Sequence, residues 1–138
     1  MIARAALLVL AALALMAAAK APEPVDGAWN FKTASYDTGC VMTGHLMVSP
    51  SGAGKTHACK LTAYENCPGI KITTQQNCKL AETNGAIVIT STIVHSTSAN
   101  YAPDDFSLKL ESAARMTGEL RSADIAPVVF YRSEDAVS

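Results

Sequence analysis

The sequence predicts an all-β protein, a small antiparallel up-and-down barrel of about eight strands stapled by disulfides, with a β-sandwich as the alternative. Three observations carry this. Beyond residue 21, apolar and polar side chains alternate with a period of two, and no helical stripe of any length appears. Clusters of Gly, Pro, Asn and Ser recur at short intervals, so nearly every connection suits antiparallel neighbours. The cysteines, Cys40, Cys59, Cys67 and Cys78, are even in number and follow an export signal.

That signal comes first along the chain. Residues 1–4 carry one positive charge, residues 5–19 contain no polar side chain, and Ala19-Lys20-Ala21 offers a small-x-small cleavage pattern. A basic start, a short apolar core and a small-residue exit define a secretory signal peptide over residues 1–21. Its 15 apolar residues are fewer than the roughly 17 to 25 of a spanning helix. The expectation is a periplasmic or secreted protein with one domain over residues 22–138. Loss of Arg4 and Lys20 with the leader leaves nine basic residues against twelve acidic ones, a net charge of −3. The basic residues are scattered singly, which argues against nucleic acid and against an anionic membrane surface. No cysteine follows the leader directly, so no lipid anchor is expected.

The strands follow in order. Pro22 and Pro24 make an extended lead-in, and Trp29 and Phe31 share one face of the first strand. Met42, Gly44, Leu46 and Val48 share a face of the second, with Cys40 ahead of them in the same phase. Residues 49–54, Ser-Pro-Ser-Gly-Ala-Gly, form a turn. His57, Cys59, Leu61 and Ala63 line the returning strand, and Asn66-Cys67-Pro68-Gly69 turns the chain again. Residues 70–74 and 77–80 read as two weaker strands. Asn84-Gly85 favours a type I′ turn into the β-branched run of residues 86–94. After a polar loop over residues 96–105, Phe106, Leu108 and Leu110 alternate with polar residues. Met116, Gly118 and Leu120 do the same, and residues 126–132 complete the set.

In an exported chain the cysteines are expected to be oxidised, with three possible connectivities. The preferred pairing joins Cys40 to Cys59 across one hairpin and Cys67 to Cys78 around a short loop; linking Cys59 to Cys78 is the main rival. Spacings of 19, 8 and 11 match no common zinc finger.

Gly27-Ala28-Trp29 opens the first strand, and Arg132 ends the last. That combination resembles the structural signature of the calycin superfamily, which contains lipocalins, avidins and the bacterial metalloprotease inhibitors. The resemblance implies a tryptophan packed at the closed end of a barrel against an arginine from the final strand. It covers Gly27, Trp29 and Arg132 alone. Avidins line their pocket with several tryptophans and this chain has one, so biotin binding is not expected. Similarity to the inhibitor group implies a protease-entering N-terminal segment, which here would fall on residues 22–25.

Catalytic chemistry finds little footing. Gly52-Ala53-Gly54-Lys55-Thr56 lacks the first glycine of a phosphate loop and precedes a strand where that motif needs a helix. A hairpin folded about Ser51 would put His45 opposite His57, but a third metal ligand is not evident, and no metal or other cofactor is expected. Asp104 and Asp105 are adjacent, so their side chains point to opposite sides of a strand; a turn in which Asp104 bonds local amides is the favoured reading. No G-x-S-x-G elbow occurs, and oxidised cysteines are not nucleophiles. The expectation is a non-enzymatic binding module. Its candidate binding loops carry Pro50, Asn66, Tyr101, Asp104 and Asp105, and its partner is a small ligand or an exported protease. Met42, Met47 and Met116 are adaptable apolar contacts, with Met42 and Met116 expected in the core.

Overall fold

A computed structural model of the chain describes residues 25–51 and 56–133. The expected signal peptide, residues 22–24 of the N-terminal segment, the Gly52–Lys55 part of the turn and the final five residues lie outside the described residues. Eight strands make up the fold: β1 (Gly27–Thr33), β2 (Val41–Val48), β3 (Thr56–Cys67), β4 (Ile70–Thr83), β5 (Ala86–Ser96), β6 (Asp105–Ser112), β7 (Arg115–Arg121) and β8 (Ile125–Arg132). Each pairs antiparallel with its sequence neighbour, and β1 pairs with β8, so the sheet closes into an up-and-down barrel. The sandwich alternative is thereby excluded. No helix occurs among the described residues.

Alternation places one face of every strand inside. Trp29, Phe31, Met42, Leu46, Leu61, Leu80, Ile87, Ile89, Phe106, Met116, Leu120 and Phe130 are all fully buried, whereas Met47 is exposed. Phe31 and Phe130, directly opposite one another, stack at 4.8 Å, and Phe106 meets both edge-on at 5.4 and 5.0 Å. Such offset and edge-to-face contacts add to the hydrophobic gain of burying three rings. The Phe31 ring lies where a Cβ at Gly44 would stand, 2.5 Å from it, so the ring fills the space that glycine leaves in the wall. These three packed rings occupy the centre of the barrel.

Turn chemistry sets the register of the β4–β5 hairpin, in which Thr83 pairs with Ala86. Asn84 and Gly85 have φ of 51° and 85°, the two positive values a type I′ turn requires. Residues 70–83 form one strand where the sequence suggested two pieces. The reason is that Thr74 and Gln76 face inward among the apolar positions and interrupt the expected pattern.

The cysteine pairing differs from the preferred one. Cys40 bonds Cys67, with sulfurs 2.05 Å apart, and Cys59 bonds Cys78 at 2.16 Å, so neither Cys40–Cys59 nor Cys67–Cys78 forms. Register explains this. In the β2–β3 ladder Val48 faces Cys59 and Val41 faces Asn66, so Cys40 falls beside Cys67 one step further. In the β3–β4 ladder Cys59 and Cys78 are direct partners. The hairpin thus folds further along than Ser51, and His45 stands opposite Thr62 while His57 stands opposite Leu80. The expected His45–His57 juxtaposition does not occur. The oxidised pairs are compatible with an extracellular or periplasmic environment.

Candidate functional site

The two ends of the barrel differ in kind. At one end, Trp29 is fully buried and Arg132, its partner across the β1–β8 seam, holds its guanidinium 4.0 Å above the indole. Arg132 also donates from Nη1 to the Asp26 carbonyl at 2.6 Å and from Nε to the Ala113 carbonyl at 3.0 Å. Trp29 Nε1 donates to the Val25 carbonyl at 2.9 Å, and Val25 is itself buried. A planar cation can stack on a ring and satisfy carbonyls at the same time, which a lysine cannot. Among the described residues, this group plugs the end. Residues 49–51, the Asn84 turn and the turn between β6 and β7 lie at the same end, as the strand directions require.

The opposite end opens into a cavity of about 200 Å³. Met42, Ile72 and Leu120 give it apolar walls; Tyr36, Glu65, Ser98, Asn100, Tyr101, Ser122 and Asp124 line it with polar groups. Tyr36 is placed by the tight turn between β1 and β2, where its amide and carbonyl exchange bonds with Cys40. The Cys40–Cys67 bridge ties that turn to the start of the β3–β4 turn. Tyr101 comes from the long connection between β5 and β6, and Asp124 from the turn between β7 and β8.

Beneath the rim lies a hydrogen-bonded polar group. Asp104 has no exposed surface, accepts from Gln76 Nε2 at 2.7 Å and from Tyr101 Oη at 2.9 Å, and its amide donates to Gln76 Oε1 at 2.9 Å. Gln76 Nε2 also donates to Thr74 Oγ1 at 2.8 Å. Burial pushes the Asp104 carboxyl up to about 6, although the bonds from Gln76 and Tyr101 work against that rise. Tyr101 is held well above the ordinary phenol range, first by burial and then by the charge of Asp104. Tyr36 is raised likewise, by burial and by its hydrogen bond to Glu65.

The sequence-derived candidates are thus divided. Tyr101 and Asp104 meet at the open end. Asp104 bonds Gln76, far along the chain, and not the local amides of a simple turn. Asp105 points elsewhere, its Oδ1 accepting from the Ser91 amide at 2.8 Å. Asn66 is exposed beside Cys67, close to the open end, while Pro50 belongs to the plugged end. Tyr36, Glu65, Gln76, Ser122 and Asp124 were not anticipated. The one signal for them was an inward phase for Gln76, in step with Thr74 and Cys78. Cys40, Glu65 and Cys67 bring potential ligand atoms within 4.8 Å of one another, but the two sulfurs are bonded together and offer no thiolate. A second, larger groove of about 480 Å³ lies on the outer wall along β1, β7 and β8, and it lacks any comparable convergence of polar groups.

No protein-family model matches the chain, and no curated protein does. Solved structures that share its architecture include two small barrels. A redesigned β-barrel superposes with a TM-score of 0.57 at 17% identity, over 80% of this chain and 92% of that one. A barrel from the de novo design of a fluorescence-activating β-barrel gives 0.57 at 14% identity, over 84% of this chain and 100% of the other. At such identities the likeness is one of fold: a small, eight-stranded antiparallel barrel.

Proposed function

We propose that this is an exported, non-enzymatic binding barrel that takes a small, hydrogen-bonding ligand at the open end formed by Tyr36, Glu65, Tyr101 and Asp124. The observation that carries the reading is the asymmetry of the ends. Among the described residues, one is capped by Trp29, Arg132 and Val25, and the other keeps a polar-rimmed cavity of about 200 Å³ over a core packed with aromatic rings. That volume is below the roughly 300 to 1,000 Å³ of drug-sized sites, so the ligand is small or only partly enclosed. The Trp29–Arg132 stack supports the resemblance to the calycin superfamily, and the two oxidised pairs support export.

A fragment library titrated into ¹⁵N-labelled mature protein tests this. Saturable shifts are expected at the amides of Tyr101, Asn100 and Ser122. Shifts confined to the outer-wall groove beside Tyr131 and Pro127, or none at all, would overturn it. A second reading, inhibition of an exported protease through a rim loop or the N-terminal segment, is favoured by the rings packed at the centre, which leave binding to the periphery. Assays against exported serine and metalloproteases decide that reading separately.

A further inference from the structure

The geometry points to a primary alkylammonium as the ligand of the open end, held by Glu65 and Asp124 with the phenolic oxygens of Tyr36 and Tyr101 as further acceptors. This rests on the reading of that end as the binding site. Three of the lining hydroxyls already give their protons to neighbours. Tyr36 Oη donates to Glu65, and Tyr101 Oη donates to Asp104 at 2.9 Å. Ser122 Oγ donates to the Pro103 carbonyl at 2.9 Å. Each of these three hydroxyls has spent its only proton on a neighbour, so toward the cavity it presents lone pairs. Glu65 and Asp124, when ionised, can only accept. Among the described residues no Lys, Arg or His lines the cavity.

Such a lining holds more acceptors than donors, its remaining side-chain donors being the Ser98 hydroxyl and the Asn100 amide. A carboxylate ligand would meet repulsion from two acidic residues and find few donors. An ammonium brings three donors and the opposite charge, and charge-assisted bonds are about twice as strong as neutral ones. Met42, Ile72 and Leu120 then offer an apolar wall for a short alkyl stem. The cavity of about 200 Å³ suits a chain of lysine side-chain length.

The test is a titration of ¹⁵N-labelled mature protein, disulfides intact, with n-butylammonium, n-butanol, butyrate and Nα-acetyl-lysine methylamide. Butylammonium is expected to saturate shifts at Tyr36, Glu65, Tyr101 and Asp124 in the millimolar range, as its few heavy atoms allow. Glu65→Gln and Asp124→Asn should each weaken it by about tenfold. Glu65→Gln keeps a carbonyl acceptor for Tyr36, so an unchanged spectrum elsewhere reports an intact fold. Saturation by the lysine derivative as well would identify a site open to a protein's lysine; saturation by the free amine alone would identify a small-amine site. Both support the inference. Butanol or butyrate binding there as tightly as the amine overturns it while leaving the open end as the binding site. Silence from both amines also overturns it, and the fragment screen then judges the binding site independently.

Discussion

Gly27 has a φ of +109°, and a Cβ built on it would stand 2.9 Å from Arg132 Nη1. The glycine is therefore required by its backbone, and it also leaves room for the guanidinium that passes over it on the way to the Asp26 carbonyl. Trp29→Ala removes the body of this plug. It should destabilise by about 3 to 5 kcal/mol, as large-to-small core changes do, read by urea denaturation. A loss under about 1 kcal/mol would show that the plug is not a keystone. Asp104 sets a second expectation. Its carboxyl rises from the usual 3.8 to about 6 on folding, so between these values the native state binds more protons than the unfolded chain. Stability from this group is present below pH 3.8 and is lost as pH climbs through about 6, an effect of about 3 kcal/mol. Comparing denaturation at pH 4 and pH 7, the D104N variant should lack that part of the slope. Parallel pH profiles for the two proteins would refute the assignment.

At the scale of the strand, close approach of backbones decides what the alternation cannot. A Cβ on Gly118 would stand 2.1 Å from the Ser107 carbonyl oxygen across the β6–β7 ladder, and one on Gly44 would stand 2.2 Å from that of Thr62. Backbone cannot yield as a flexible side-chain end can, so Gly118→Ala should cost about 1 to 3 kcal/mol, the range of overpacked interiors. The neighbouring Thr117→Ala, which also loses the hydroxyl bond to Glu111, serves as the comparison and should cost less. Equal thermal shifts for the two would sink the close-approach argument. Strand positions and faces were legible because period-two burial leaves its mark directly in the sequence: Met116, Gly118 and Leu120 were placed on one face from spacing alone. β4 was not legible as one element, because Thr74 and Gln76 are inward-facing polar groups that satisfy one another and Asp104. Tyr36 was missed for a related reason: a tyrosine inside a turn has no periodic context, and its partner Glu65 is 29 residues away.

Closure is a property of the whole chain, and it limits what local reading can deliver. A closed sheet has no free rim along the β1–β8 seam, so the first and last strands protect each other from edge pairing. The cysteine partners follow from global register. The connection between β2 and β3 is long enough to permit several registers, and the one adopted sets Cys40 beside Cys67 and leaves Cys59 to Cys78. The resulting bridges span 27 and 19 residues, and their loops overlap. By the chain-entropy account each would contribute about 3 kcal/mol, somewhat less together, because closing the first loop already restricts the second. Turns and the Phe31, Phe106 and Phe130 cluster also specify the register, so the barrel is expected to keep it without either bond. Reduction with dithiothreitol should therefore keep the β-type circular dichroism at 20 °C while lowering the melting temperature by at least about 10 °C. Peptide mapping before reduction should give Cys40–Cys67 and Cys59–Cys78 alone. A reduced chain that loses its β signal outright would mean that the bridges, and not the packed interior, hold the barrel closed.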